Sequence, residues 1–176
     1  MFDKLLTCID VQVDYFSLCI LTAGWGLRLP GPPDVMLHFV LHGRGAVRVS
    51  GGRAWPLVPR SLAIVPKGAA HVLESAGQPK RYRRVDALPA GAKVPSEVIA
   101  GSSAHPDLVV ACGLVRVRYG RFLGVFDQLR DVLTVDLSDC PQAQAAVEGI
   151  IAEKSQPASG SEALMGAMMT QCLVHV

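Results

Sequence analysis

Charge is scarce in this chain. Only 18% of its 176 residues are Asp, Glu, Lys or Arg, and 17 basic against 15 acidic side chains leave a formal charge of +2. So neutral a balance carries no electrostatic footprint for nucleic acid, and the chain by itself is not expected to bind DNA or RNA. CxxC and CxxH spacings are missing as well. The five cysteines, Cys8, Cys19, Cys112, Cys140 and Cys172, are scattered among apolar neighbours. That pattern indicates neither a zinc finger nor a redox dithiol, and reads as small buried hydrophobes. No apolar run approaches the roughly 18 residues of a membrane span. The N-terminus, MFDKLLTC, has no apolar signal core. A cytoplasmic protein without a membrane partner is expected.

What is present is apolar sequence broken by turns. Half of the chain is hydrophobic, enough for a full core, and it holds 17 glycines and 12 prolines. From about residue 11 to 120, Gly or Pro recurs roughly every 8–12 residues, the spacing of short strands joined by turns. The segments Tyr15 to Thr22, Val35 to Leu41, Ala46 to Ser50, Trp55 to Val58, Leu62 to Val65, His71 to Glu74 and Leu108 to Val117 read as strands. Gly24 to Pro33 reads as a turn-rich stretch. His42-Gly43-Arg44-Gly45 and Gly51-Gly52 read as hairpin turns, not phosphate loops. Even spacing of this kind implies a β-barrel or sandwich in place of βαβ units.

The last third changes period. Ala143, Val147, Ile150 and Ile151 fall on one face of a helix over Pro141 to Lys154, with Ser138 and Asp139 as capping candidates. After the turn Ser155 to Gly160, Ser161 is expected to cap a second helix. Its stripe runs Leu164, Met165, Met168, Met169, Cys172, Leu173 and Val176. No stop signal closes that stripe, so the expectation is a chain cut inside a helix.

One local pattern carries chemistry. Pro66-Lys67-Gly68-Ala69-Ala70-His71 follows an apolar strand and resembles the PxGxxH motif of the cupin superfamily. Upstream stand Trp25-Gly26-Leu27-Arg28, Leu37-His38-Phe39-Val40-Leu41-His42-Gly43 and Gly51-Gly52. Downstream stand Val110-Ala111-Cys112-Gly113 and Phe126 to Leu133. Together these resemble the N-terminal cupin domain of AraC-type transcriptional regulators over nearly the whole chain. The resemblance implies an RmlC-like jelly-roll β-barrel over 1–137 with a short N-terminal helix, then a helical pair over 138–176. It further implies a small-molecule effector, a homodimer formed through the helices, and DNA contact only through a helix-turn-helix domain absent from this chain. Arg60-Ser61 replaces the usual Gly-Asp, and His42 the usual acidic residue.

The first cupin motif is degraded. An enzyme of the superfamily places HxH and a Glu before this glycine, yet seven residues before Gly43 stands Met36, and no His precedes it nearby. A stand-alone metal-dependent cupin enzyme, a dioxygenase or isomerase, is therefore the alternative reading, and no catalytic residue is assigned. His38 shares strand parity with Met36, so both face the same side. His71 takes the motif's inward position. Trp25, Met36, His38, Val40, His71 and Cys112 are the expected barrel-interior, effector-lining residues. For His38, His71 and Cys112 two readings stand: hydrogen-bonded interior residues, or a His2Cys site for zinc or another divalent transition metal. The run Lys80-Arg81-Tyr82-Arg83-Arg84 reads as a solvated face.

Overall fold

The computed structural model describes residues 9–49, 52–86, 95–120 and 123–175. The expected N-terminal helix, Cys8, Gly51 and Val176 lie outside them. Among the described residues, twelve strands, β1 (Ile9–Leu21), β2 (Trp25–Leu29), β3 (Val35–Gly43), β4 (Gly45–Val49), β5 (Ala54–Leu57), β6 (Ser61–Val65), β7 (His71–Ser75), β8 (Arg81–Arg84), β9 (Glu97–Ala100), β10 (Leu108–Tyr119), β11 (Leu123–Gly124) and β12 (Leu133–Asp136), precede two helices, α1 (Pro141–Ser155) and α2 (Ser161–Leu173). The strands form two sheets, one ordered β12-β6-β3-β10-β1-β9 with β11 on β10, the other β5-β4-β7-β2-β8. The jelly-roll expectation stands. Its barrel is a sandwich, because the two sheets are not hydrogen-bonded into a closed ring.

The larger sheet is covered on both faces, which is why β3 is buried from Val35 to Val40 and reads as a continuous apolar run. Its even residues, Met36 and Val40, pack inward with Leu27, Leu29, Val47 and Leu73 from the facing sheet. Its odd residues, Val35, Leu37 and Phe39, pack outward with Val147, Ile150, Met165 and Met169 of the helices. Strand parity thus sorts one strand between two cores. On α2, Gly166 permits the helix to sit against β1: a Cβ there would meet the carbonyl oxygen of Val11 at 2.9 Å.

Several local expectations are corrected. Trp25–Leu29 is a strand, paired antiparallel with β7 and parallel with β8. Leu27 and Leu29 go inside, and the bare Cα of Gly26 leaves room for the Tyr82 ring. Burial of that alternating face outweighs the flanking Gly and Pro. Neither Ser138 nor Asp139 caps α1, whose N-cap is Cys140, with Pro141 occupying the position where a missing N–H costs nothing. Ser161 does not cap α2 either. Gly160, at φ +93, is the N-cap, and its left-handed turn aims Ser161 back at α1, where its hydroxyl donates to Glu153. Leu164 of the expected stripe is 44% exposed, whereas Met165, Met169 and Cys172 are buried. The helix ends at Leu173.

Candidate functional site

The register of the larger sheet sets Ser17, Cys112, His38 and Ala63 opposite one another in a single row across β1, β10, β3 and β6. Directly opposed residues of antiparallel strands point to the same face, so this row looks toward the smaller sheet. From that sheet, His71 opens β7. The turn before it is fixed by Gly68, at φ +75, whose N–H donates to the Pro32 carbonyl at 2.8 Å. A chain that leaves β6 and turns here delivers the His71 ring into the gap between the sheets.

There the side chains meet in a line. His38 Nδ1 lies 3.2 Å from Cys112 Sγ, and His38 Nε2 lies 2.8 Å from His71 Nε2. His71 Nδ1 lies 2.9 Å from the Ala69 carbonyl oxygen. Cys112 Sγ touches Cys19 Sγ at 2.6 Å. The proton order follows from one fixed acceptor. A carbonyl only accepts, so His71 carries its hydrogen on Nδ1 and, being neutral, presents a lone pair at Nε2. His38 must then donate from Nε2, which leaves its Nδ1 to accept the Cys112 thiol proton. Both rings are held neutral. Burial lowers His38 well below the ordinary range, with His71 adding to the effect. Burial also lowers His71, to about 4, against the opposing pull of the Ala69 carbonyl. Burial and the Cys19 contact push the Cys112 thiol well up.

This arrangement bears on the metal reading. The structure brings His38, His71 and Cys112 together, but strings them on opposite nitrogens of one ring. A metal needs its donors around a common point at about 2.0–2.3 Å. His38 points one nitrogen at each partner, so no single point serves all three. Among the described residues, no group of three His, Cys, Asp or Glu side chains could hold a metal ion. As placed, the three donors form a hydrogen-bond relay. Among the described residues, every buried side-chain N or O has a partner.

Beside the relay a cavity of about 310 Å³ opens between the sheets. Met36, Leu29 and Val98 supply its apolar walls, Cys19 and Cys112 its inner end, and Arg83 and Asp86 its outer lining. Of the six residues expected to line an effector site, Met36 and Cys112 do so. His38, at 0% exposure, and His71 are buried with them in the inner core, where Val40 also lies and Trp25 packs at the edge. Tyr15, Ser17, Cys19 and Val98 were missed by sequence reasoning. For Tyr15 and Cys19 the signal was hidden by the bulge between Val13 and Tyr15, which resets the parity of β1. The Tyr15 hydroxyl donates to Met36 Sδ at 3.7 Å. Burial, with Cys112 and Cys19 adding to it, pushes that hydroxyl up to about 12, so Tyr15 is a neutral donor.

The basic run lies where it was expected, on the solvent side. All four residues of β8 are exposed. The Arg28 guanidinium stacks over the Tyr82 ring at 4.2 Å, and Arg83 donates to the Ile99 carbonyl. Among the described residues, no helix is long and apolar enough to cross a membrane.

A cupin family model matches residues 1–176, and the chain belongs to the cupin family. Two solved structures of ToxT from Vibrio cholerae resemble it. An apo single-residue variant shares 9% identity at a TM-score of 0.46, with 92% of this chain and 52% of that one covered. The other shares 8% at a TM-score of 0.42, with 97% and 56% covered. The chain thus spans about half the length of these proteins. No curated protein matches the sequence.

Proposed function

Taking cupin-family membership as the premise, we propose that this chain is the effector-sensing and dimerisation domain of a bacterial AraC-type transcription regulator acting in the cytoplasm. The sequence motifs from Trp25 to Leu133 supply the regulator part of that reading. The observation that carries the sensing part is the cavity of about 310 Å³, apolar on its walls, with Tyr15 and two thiols among its lining. That is the form of a site for one small organic molecule, with a few polar groups fixing its orientation. Tyr15 and Cys112 would orient the effector while Met36 and Val98 bury its body.

The helices give the output. α1 and α2 pack on the outer face of the same sheet whose inner face lines the cavity. An effector that favours one packing of sheet against helices shifts the population of that arrangement, and a dimer built on α1 and α2 passes the shift to DNA-reading domains. Exposed Leu164 on α2 is available to such a contact. The chain's own charge of +2 fits DNA contact made elsewhere.

The alternative is a metal-dependent cupin enzyme. It lacks the HxH and Glu ligands in sequence, and His38 and His71 are bonded to each other. The test is a thermal-shift screen of small apolar and aromatic metabolites against the wild-type chain and a Met36→Trp variant that fills the cavity. A compound that raises the wild-type melting temperature and leaves the variant unmoved supports sensing. Metal-dependent turnover of a compound in the panel overturns it.

A further inference from the structure

We propose that Cys19 and Cys112 are an oxidisable dithiol, a site where a hydroperoxide closes a disulfide on the wall of the cavity. Their sequence spacing hides this, because the pair is made by sheet register alone. Ser17 stands opposite Cys112 and Cys19 opposite Val110, so the two cysteines are diagonal neighbours on one face of adjacent strands. Their sulfurs are in contact at 2.6 Å. A covalent S–S bond is about 2.05 Å long, and diagonal positions on adjacent strands lie about 7–8 Å apart, so closing the bond draws β1 and β10 together locally. Both are free thiols.

Access is the second, independent observation. Each cysteine is nearly inaccessible from the outer surface, at 2% and 3% exposure, yet both line the cavity between the sheets. A small oxidant reaches the sulfurs by the route an effector would use. Burial holds the Cys112 thiol protonated at rest, and its sulfur, 3.2 Å from the His38 Nδ1 lone pair that accepts its hydrogen, is the attacking group.

The step balances with one hydroperoxide. Cys112 Sγ attacks a peroxide oxygen, the O–O bond breaks, and the departing hydroxide takes the thiol proton to leave as water. Cys112 is then a sulfenic acid. Cys19 Sγ attacks that sulfur, the S–O bond breaks, and the second hydroxide leaves as water with the Cys19 proton. Two thiols and one hydrogen peroxide give one disulfide and two waters, with two electrons passing from sulfur to oxygen. The disulfide removes the hydrogen that Cys112 gives to His38. Reduced and oxidised chains therefore hold different relays. This inference stands whether or not the cavity takes an effector.

The test uses the wild-type chain. It is treated with hydrogen peroxide, denatured, alkylated and weighed intact, then digested and mapped. Untreated chain should take five alkyl groups, one for each cysteine. Treated chain should take three, with one intramolecular link between the Cys19 and Cys112 peptides that dithiothreitol reverses. A Cys19→Ala variant should take four alkyl groups before brief treatment and show no intramolecular link after it. Retention of all five free thiols, a link through Cys140 or Cys172, or a link between two chains would each overturn the proposal. In the folded treated chain, the His38 ring 15N shifts should move, whereas a disulfide formed only after unfolding would leave them where they were.

Discussion

His38 Nε2 and His71 Nε2 meet at 2.8 Å across the space between the two sheets, and the Ala69 carbonyl behind His71 dictates which of them donates. Removing either ring leaves a buried polar group without a partner. The His71→Ala variant strands the His38 N–H and opens a void, and is expected to lose about 2–4 kcal/mol of folding stability. Guanidinium denaturation reads it. A loss under about 1 kcal/mol would show that the bond is not formed.

The same bond has a spectroscopic signature. In long-range 15N–1H NMR spectra at pH 7, His38 should appear as the Nε2–H tautomer and His71 as the Nδ1–H tautomer. The reverse assignment in either ring would break the proton order inferred from Ala69.

Stability should fall on mild acidification. The His71 pKa is depressed to about 4 in the folded chain, against 6.5 when unfolded. Between those values the unfolded chain binds the extra proton, so stability is fully present above pH 6.5 and is lost as pH falls toward 4. For His71 alone the loss is about 2 kcal/mol by pH 5 and about 3 kcal/mol by pH 4. His38 shifts in the same direction. The urea midpoint at pH 5 should lie clearly below that at pH 7, in a window where few carboxylates titrate. Equal midpoints would mean the histidines are solvated or charged.

Two glycines of the same backbone class should behave differently. Gly43 and Gly68 both have positive φ, at +81 and +75. A Cβ on Gly43 would fall 1.8 Å from the Asp107 carbonyl oxygen, while one on Gly68 meets nothing within 4 Å. Gly68→Ala should cost about 1–2 kcal/mol, the strain of a left-handed residue alone. Gly43→Ala adds a backbone collision and should cost more than about 4 kcal/mol. Thermal melts of the two variants decide it, and equal losses would be inconsistent with the β3–β10 pairing described.

Much of this architecture was legible in the sequence, and the reasons differ by element. β3 and β6 announced themselves as apolar runs because both their faces are covered. The helix over Pro141 was readable from its 3.6-residue period, and the His71 turn from Pro66 and Gly68. β2 was hidden because its Gly and Pro neighbours signal turns, while its pairing with β7 and β8 is a long-range fact. β9 and β12 were hidden because four-residue edge strands have too few positions to show a period. At the site, parity placed Met36, His38 and Val40 together correctly. It gave no means of seeing that His38 would spend both nitrogens on separate partners, since ring orientation is set by His71 and Cys112 from other strands. Cys19 was out of reach because the bulge between Val13 and Tyr15 resets the parity of β1.

Binding to duplex DNA should be undetectable at physiological salt for this chain alone. Its charge of +2 gives few phosphate contacts, and the four exposed residues of β8 form a short local patch. Fluorescence anisotropy with a labelled duplex reads this, and sub-micromolar affinity would contradict a division of labour between sensing and DNA-reading domains.

The distinction between a sensor and a metal enzyme rests on whether His38, His71 and Cys112 hold one another or an ion. Elemental analysis of protein purified without chelator measures it directly. If the three residues form the hydrogen-bonded relay, zinc and other transition metals should lie far below one per chain, in the wild type and in His71→Ala alike. About one ion per wild-type chain, lost in His71→Ala, would contradict the relay and return the interior to metal chemistry.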